Sequence, residues 1–195
     1  QQASDTEVAN RQSRMGEMYF LRGHFYFVLK TIFGHIPFVD ENTPDSAYET
    51  TPNTLPNDEQ WQKIVADFKK AYDLLPNTQP QKGRADKYAA AAYLAKAYLY
   101  KAYRQSENNS VTGINSQDLQ EVLTYTSFAL GSSYGLEDDF AFNFLPGGYE
   151  NGKESMFAVQ YSVDDGTQYG RLNWGDQLST PQKLGCCDFH KPSQN

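Results

Sequence analysis

One stretch of the sequence, Met15 to Asp40, constrains the fold more than any other. Read as a helix, it carries two neighbouring apolar stripes, which predict a helix that is buried on more than one side. The first stripe comprises Met15, Tyr19, Arg22, Tyr26, Leu29 and Phe33, and the second comprises Met18, Leu21, Phe25, Val28 and Ile32. Gly16 and Gly23 lack side-chain bulk, so the sequence predicts that another helix approaches closely at these positions.

The residues after this stretch predict where the helix ends. Gly34 can adopt the left-handed conformation that often follows the last helical turn. Pro37 cannot continue a helix, and it favours an extended conformation at Ile36. The helix is therefore predicted to end at Gly34 and to be followed by an extended segment.

The order of these residues resembles the signature helix of the SusD/RagB family. The resemblance is carried by Glu17, Phe20 to Gly23, Tyr26, Phe27 and Phe33 to Val39. Gly23 stands where the family usually has Ala, and His35 stands where Asp is frequent. The resemblance implies a cell-surface lipoprotein that binds glycans or peptides and works with a TonB-dependent transporter of the outer membrane.

Length and charge exclude several other classes of function. The 195 residues are enough for one domain with a hydrophobic core. The net charge of -7 argues against binding to nucleic acid or to anionic lipid, both of which require clustered basic residues.

No apolar run in the sequence is long enough to span a bilayer, and no signal peptide opens the chain. Because Gln1 is not an initiator residue, we expect the chain to be an internal fragment of a longer protein. The family resemblance then implies an outer-membrane, surface-exposed protein whose lipid anchor lies on the missing N-terminus.

Three further helices are predicted after the signature helix. Asn57 with Gln60 has the spacing of a capping box, which places the start of the first of them near this pair. Ser4 with Glu7 has the same spacing, which places a helix start near Asp5, before the signature helix. The stripe that follows Asn57 ends at Pro76 and consists of Trp61, Ile64, Val65, Phe68, Ala71, Tyr72 and Leu75. Its periodicity predicts that Trp61 is a core residue rather than a ligand platform.

An alanine-rich helix is predicted from Asp86 to Arg104, followed by a polar surface loop from Gln105 to Asn115. The next helix ends at Gly131, and its predicted apolar stripe comprises Leu119, Val122, Leu123, Thr126, Ala129 and Leu130. The paired helices resemble a tetratricopeptide hairpin with a long connection. Gly83-Arg84-Ala85, before the alanine-rich helix, again resembles the SusD/RagB family.

The character of the sequence changes after Leu130. Leu136 to Phe144 is predicted to hold one short helical turn, and Glu154 to Tyr161 is the best candidate for a strand. The predicted fold is therefore mostly α, with SusD-like antiparallel helical hairpins in residues 1–130. Residues 131–195 are predicted to be a small, irregular and partly extended region on the ligand side.

Catalytic and metal-binding residues are weakly supported. Glu154, Asp164 and Asp165 include a pair next to Gly166, where acidic residues commonly build turns rather than a glycosidase site. The three His have no metal-ligand spacing, and Cys186 with Cys187 supplies too few ligands for a metal. We therefore predict a non-enzymatic protein without a cofactor. For Glu17 and Arg22, a structural ion pair or hydrogen-bond network is expected.

One loop has the composition of a carbohydrate site. Sugars offer C–H faces to aromatic rings and hydroxyls to short polar side chains, and residues 169–176 provide both. The candidate ligand-binding residues are Tyr169, Arg171, Asn173 and Trp174. In the alternative interpretation, Trp174 covers the helices, since Trp is usually mostly buried.

Together with this loop, the resemblance to the SusD/RagB family implies a surface receptor that captures an oligosaccharide and delivers it to a TonB-dependent, SusC-like transporter. Two alternatives remain open at this point. The chain could belong to an oligopeptide receptor of the same family, or to a helical-repeat scaffold that binds protein partners.

Overall fold

The computed structural model describes residues 10–160, apart from residues 107, 109 and 146. Four helices follow one another in this part of the chain: α1 (Arg11–Phe33), α2 (Asn57–Leu74), α3 (Lys87–Ala102) and α4 (Ser116–Leu130). Two antiparallel strands, β1 (Tyr103–Gln105) and β2 (Val111–Ile114), separate α3 from α4. Short 3-10 turns occupy Asp45–Ala47, Phe140–Asn143 and Gly147–Tyr149. The mostly helical fold class predicted from the sequence is confirmed.

Each helix packs against the next in the opposite direction. Positions later in α1 contact positions earlier in α2, which shows that the two helices are antiparallel. The contacting pairs are Gly16–Leu75, Gly23–Phe68 and Phe27–Trp61. The other two interfaces show the same order, with the pairs Phe68–Tyr93, Trp61–Tyr100, Tyr98–Tyr125 and Lys101–Asp118. Successive antiparallel helices of this kind are the predicted tetratricopeptide-like arrangement.

The core forms around α2, which contacts both α1 and α3. Its predicted stripe is confirmed: Tyr72 is half-buried, and the other six residues are buried, namely Trp61, Ile64, Val65, Phe68, Ala71 and Leu75. Phe20 and Phe27 of α1 pack against this stripe, as do the alanines and Leu94 of α3. Each large apolar side chain buried in this way contributes roughly 1.5–3 kcal/mol to folding.

The predicted burial of α1 is wrong in its choice of face. The buried residues of α1 are Gly16, Phe20, Gly23, Phe27 and Lys30. By contrast, no residue of the second predicted stripe is buried: Leu21 is half-buried, and Met18, Phe25, Val28 and Ile32 are exposed. Phe33, the last residue of the first stripe, is exposed as well. A face with two glycines at a spacing of seven lets α2 approach more closely than either predicted stripe does.

We expect Gly23→Leu to lower the free energy of unfolding by about 1–3 kcal/mol, because the side chain would overpack the α1–α2 interface. A Cβ at Gly23 would lie 3.0 Å from the Phe68 ring. Urea denaturation of the two proteins measures the difference. Gly113→Leu is the control, since a Cβ at Gly113 meets nothing within 4 Å. Equal stability of Gly23→Leu and the unaltered chain would show that the face is open.

The helix α1 ends at Gly34 as predicted, and the segment that follows folds back onto the helix. Gly34 has a positive φ of 74° and its N–H donates to the Lys30 carbonyl at 3.0 Å. The Tyr26 hydroxyl then donates to the Val39 carbonyl and accepts from the Val39 N–H, both at 2.8 Å. The Tyr26 ring stacks on Phe38 with centroids 4.1 Å apart. These contacts give the Gly34-to-Val39 motif a structural role.

The helix caps differ in part from those predicted. Asn57 is the first residue of α2 rather than its cap, and its Oδ1 accepts a hydrogen bond from Lys30 Nζ at 2.5 Å. Asp86 caps α3 through a 2.8 Å bond from Ala89 N–H, and Asn115 caps α4 through a 3.0 Å bond from Asp118 N–H. A side-chain oxygen at this position satisfies a free donor of the first turn. The Ser4–Glu7 pair lies outside the described residues.

Two predictions about extended structure are wrong. The predicted loop from Gln105 to Asn115 contains β2, and the end of the predicted helix, Tyr103 and Arg104, belongs to β1. The predicted strand from Glu154 forms turns and irregular structure through Gln160. Alternating apolar residues form a strand only with a hydrogen-bonding partner, and no strand pairs with residues 154–160 in the described part of the chain.

The predicted stripe of α4 is also partly wrong. Tyr125 is the buried apolar residue, with Val122, Phe128 and Ala129 half-buried beside it, whereas Leu123 and Leu130 are exposed. Tyr125 packs between Tyr98 of α3 and Tyr72 of α2, so the face of α4 that carries Tyr125 is the one turned towards the core. The predicted short turn within Leu136 to Phe144 is confirmed by the 3-10 turn Phe140–Asn143.

The described residues from Asn10 to Ala158 belong to one compact unit. A second unit begins at Val159, and the structure describes its first two residues, Val159 and Gln160. Our division of the chain after Leu130 stays a prediction. None of the described helices combines the length and the apolar character needed to cross a membrane.

Candidate functional site

A polar cleft of about 410 Å³ lies where the α2–α3 loop meets the chain that follows α4. One side is the loop itself with the start of α3, and the other is formed by two short stretches near residues 133 and 153. The residues that line it are Asn77 to Arg84, Asp86, Tyr88, Ser133, Tyr134, Asn151 to Lys153, Ser155 and Met156. Amide, hydroxyl and aromatic side chains therefore dominate its surface.

The loop side of the cleft is held in place by α1. Arg84 donates to Glu17 through Nε at 2.7 Å and also through Nη2, so the pair is bidentate. Gln79 Nε2 donates to the same carboxylate at 2.9 Å and to the Ala85 carbonyl at 2.8 Å. The hydrogen bonds with Glu17 raise the pKa of Arg84, which stays charged. The Glu17 and Gly83-Arg84-Ala85 motifs thus shape one wall of the cleft.

The opposite wall is tied to α3 by Tyr134. Asp86 is buried and uses both carboxylate oxygens, since Oδ1 accepts from Ala89 N–H and Oδ2 accepts from the Tyr134 hydroxyl at 2.8 Å. The two stretches of this wall are joined by a 3.0 Å bond from Gly135 N–H to the Lys153 carbonyl. Tyr88, at the start of α3 on the loop side, stacks its ring on Phe128.

We expect the Tyr134 phenol to remain protonated until the pH approaches 12. Burial, and then the hydrogen bond to Asp86, raise its pKa from 10.0 to about 12. The unfolded chain ionises this tyrosine near pH 10, so the stabilisation by the protonated phenol is complete below pH 10 and is lost as the pH rises through about 12. The tyrosinate absorbance of the unaltered chain minus that of Tyr134→Phe should titrate near pH 12. A difference curve centred at pH 10 would contradict this assignment.

The cleft is suited to a neutral ligand rich in hydroxyl groups. Asn77 brings an amide that can both donate and accept, and the amide of Gln81 accepts from Arg84 Nη1 at 3.2 Å and keeps its N–H donors. Tyr88 and Tyr134 bring ring surface with a polar end. Three cations line the cleft: Arg84 and Lys153 are paired with Glu17 and with Asp138, and Lys82 is exposed. Concave sites with a few convergent polar groups are the usual form of small-ligand sites.

The described carboxylates near the cleft have structural roles. Both oxygens of Asp86 accept protein hydrogen bonds, and Glu154 accepts from Asn143 at 2.6 Å and from the Glu137 N–H at 3.3 Å. Asp164 and Asp165 lie outside the described residues. Within residues 10–160 as described, no three His, Cys, Asp or Glu residues are grouped as metal ligands.

The ligand-binding residues predicted from the sequence are Tyr169, Arg171, Asn173 and Trp174, and all four lie outside the described residues, as do Cys186 and Cys187. Sequence reasoning missed the polar cleft. Its available signal was the amide-rich run from Asn77 to Gln81, which connects two helices and precedes Gly83-Arg84-Ala85.

The expected structural network of Glu17 and Arg22 is confirmed, although these two residues bind different partners. Arg22 forms a bidentate pair with Asp67 at 2.6 and 2.7 Å and contacts Glu41 Oε2 at 2.5 Å. These hydrogen bonds raise the pKa of Arg22 and lower the pKa of Glu41 to about 2. His24 is a packed imidazole, with its ring against Tyr93.

Comparison with known proteins identifies relatives of this chain. Residues 1–99 match the model of a SusD-like family described as starch-binding and associating with the outer membrane. The SusD-like protein P2 of Formosa agariphila is 33% identical over 76 residues, which is 39% of this chain and 15% of that protein.

Solved structures show the same fold. A SusD-like protein from Bacteroides fragilis has a TM-score of 0.63 and 25% identity, over 82% of this chain and 29% of that protein. A SusD superfamily protein from Bacteroides vulgatus has a TM-score of 0.56 and 25% identity, over 80% of this chain and 30% of that protein. The chain therefore spans less than one third of the length of these relatives.

Proposed function

The chain belongs to the SusD-like family, and from this premise we propose that it is part of a non-enzymatic receptor that binds oligosaccharides at the outer membrane. In this proposal the polar cleft holds part of the glycan. The bound oligosaccharide is then delivered to a TonB-dependent, SusC-like transporter, and the receptor is attached to the cell surface by a lipid anchor.

The observation that carries the proposal is the chemistry of the cleft in a family described as starch-binding. Sugar hydroxyls need partners that donate and accept at once, which amides and phenols provide. Tyrosine rings offer apolar faces to the C–H surface of a pyranose ring. A site for a strongly anionic ligand would instead require a cluster of unpaired cations, whereas two of the three cations that line the cleft, Arg84 and Lys153, already have carboxylate partners.

The residues Tyr169, Arg171, Asn173 and Trp174 remain part of the proposal as additional glycan contacts. Their support is the sequence composition described above, with an aromatic residue among short polar side chains. Trp174→Ala, added to the titrations described next, tests this contribution independently of the cleft.

The proposal is tested by calorimetric titration of the purified full-length protein with maltoheptaose and with oligosaccharides of other backbones. The double substitution Asn77→Ala with Gln81→Ala removes two exposed amides of the cleft. A hydrogen bond is worth about 0.5–1.5 kcal/mol, so we expect affinity to fall by roughly tenfold or more. Gln120→Ala, an exposed amide on α4 outside the cleft, is the matched control and should bind normally.

Other outcomes of the same titrations decide between the alternatives. Binding of oligopeptides but of no glycan would favour the peptide receptor of the same family. Release of shorter sugars during the titration would contradict a non-enzymatic receptor. Unchanged glycan affinity in the double variant would remove the polar cleft from the site.

A further inference from the structure

A second cavity adjoins the polar cleft. We refer to it as the apolar groove. It measures about 340 Å³ and is enclosed by the middle of α3, the end of α4 and the chain that follows α4. Its lining comprises Ala92, Ala95, Thr126, Ala129, Leu130, Ser132, Tyr134, Gly135, Leu136, Glu154 and Met156. The groove exists because the alanine side chains on both helices are small, and the exposed side chains of Leu130 and Leu136 form its rim.

The groove and the cleft share one wall. Tyr134 and Met156 line both cavities. On either side of them the chain alternates, because Ser133 and Ser155 face the cleft whereas Ser132 and Glu154 face the groove. A ligand bound against Tyr134 in the cleft therefore lies next to the opening of the groove.

The two cavities differ in the chemistry that they accept. Apart from Tyr134, the groove offers the hydroxyls of Thr126 and Ser132 and the carboxylate of Glu154, which already accepts from Asn143. An unsubstituted sugar ring placed there would lose hydration of several hydroxyls without enough partners. An alkyl or aryl group loses no hydrogen bonds and gains from contact with the alanine, leucine and methionine side chains.

We propose that the cleft and the groove form one two-part site for a glycan that carries an apolar substituent, with the sugar in the polar cleft and an acyl, alkyl or aryl group in the apolar groove. This inference rests on the proposed function, since it requires that the cleft bind sugar. It adds the class of glycan, which is an oligosaccharide with an apolar substituent rather than an unsubstituted oligosaccharide. The shared residues Tyr134 and Met156 place the point of substitution at the wall between the cavities.

The experiment compares 4-nitrophenyl glycosides of maltotriose, xylotriose and cellotriose with the free trisaccharides, using the full-length protein. For the backbone that binds, the aryl glycoside should bind about tenfold more tightly or better. Ala129→Leu and Ala92→Leu place bulk in the groove and should remove this gain while leaving affinity for the free trisaccharide unchanged. Ala141→Leu, at an exposed alanine outside both cavities, should keep the gain.

The outcomes separate the two proposals. Equal affinity for a free trisaccharide and its aryl glycoside would overturn the two-part site and leave sugar binding in place. A gain that survives both groove-filling substitutions, in variants with unchanged unfolding midpoints, would also overturn it. If none of the six compounds binds, the proposed function and this inference both fail.

Discussion

Phe27→Ala should lower the free energy of unfolding by about 3–5 kcal/mol, as expected for the truncation of a buried aromatic side chain. Phe27 is 5% exposed and lies where three helices meet. Its ring packs edge-on against Trp61 of α2 at 5.6 Å and against Tyr100 of α3 at 5.0 Å. Truncation removes both contacts and leaves a cavity that neighbouring helices cannot fill. Urea denaturation of the 195-residue chain measures the loss.

Phe25→Ala is the matched control, because Phe25 lies two residues away on the same helix and is 61% exposed. We expect its effect to stay within about 0.5 kcal/mol, as for most surface substitutions. The pair of variants also tests the corrected face of α1. If Phe25→Ala were the more damaging substitution, the face predicted from the sequence stripes would be the buried one.

Asp118→Ala should cost about 3–5 kcal/mol, because it removes the anion from a buried group of charges. Asp118 Oδ1 accepts from Lys101 Nζ at 2.7 Å and Oδ2 accepts from Arg104 Nη2 at 3.0 Å. The side chains of Asp118 and Lys101 are only 8% and 12% exposed. Without the carboxylate, Lys101 loses its carboxylate partner in a largely buried position, and Arg104 keeps its 3.1 Å contact with Asp58. Thermal or urea unfolding measures the effect.

Asp73→Ala provides the comparison for this charge pair. Asp73 pairs with Lys69 on the surface of α2 at 2.5 Å, and its side chain is 51% exposed. Exposed pairs of this kind contribute about 0–1 kcal/mol, so the substitution should be nearly neutral. Equal losses at Asp73 and Asp118 would show that burial does not set the strength of the pair.

The sequence predicted the helices well where one apolar stripe stood alone. The stripe of α2, from Trp61 to Leu75, has polar residues on the other face, and its burial follows directly. The α1 helix is aromatic or aliphatic on several faces, so periodicity could not choose among them. The choice depends on Gly16 and Gly23 facing α2, a contact between residues about 45–60 positions apart.

The candidate site was beyond sequence reasoning for a similar reason. The polar cleft joins residues 77–88 to residues 133–156, which are distant in the sequence and carry no shared motif. The hydrogen bond between Tyr134 and Asp86 that fixes one wall is likewise a long-range contact. The family resemblance did single out Glu17 and Gly83-Arg84-Ala85, but their role as a wall of the cleft could be seen only in the fold.

Amide hydrogen exchange with and without a bound oligosaccharide tests the central claim most directly. If the glycan occupies the polar cleft, added protection should appear in residues 77–88 and in the two stretches 132–136 and 151–156. The outer face of α4 and the β1–β2 hairpin should exchange as before. Protection confined to residues 169–176, with none in the cleft stretches, would contradict the cleft as the site of glycan binding.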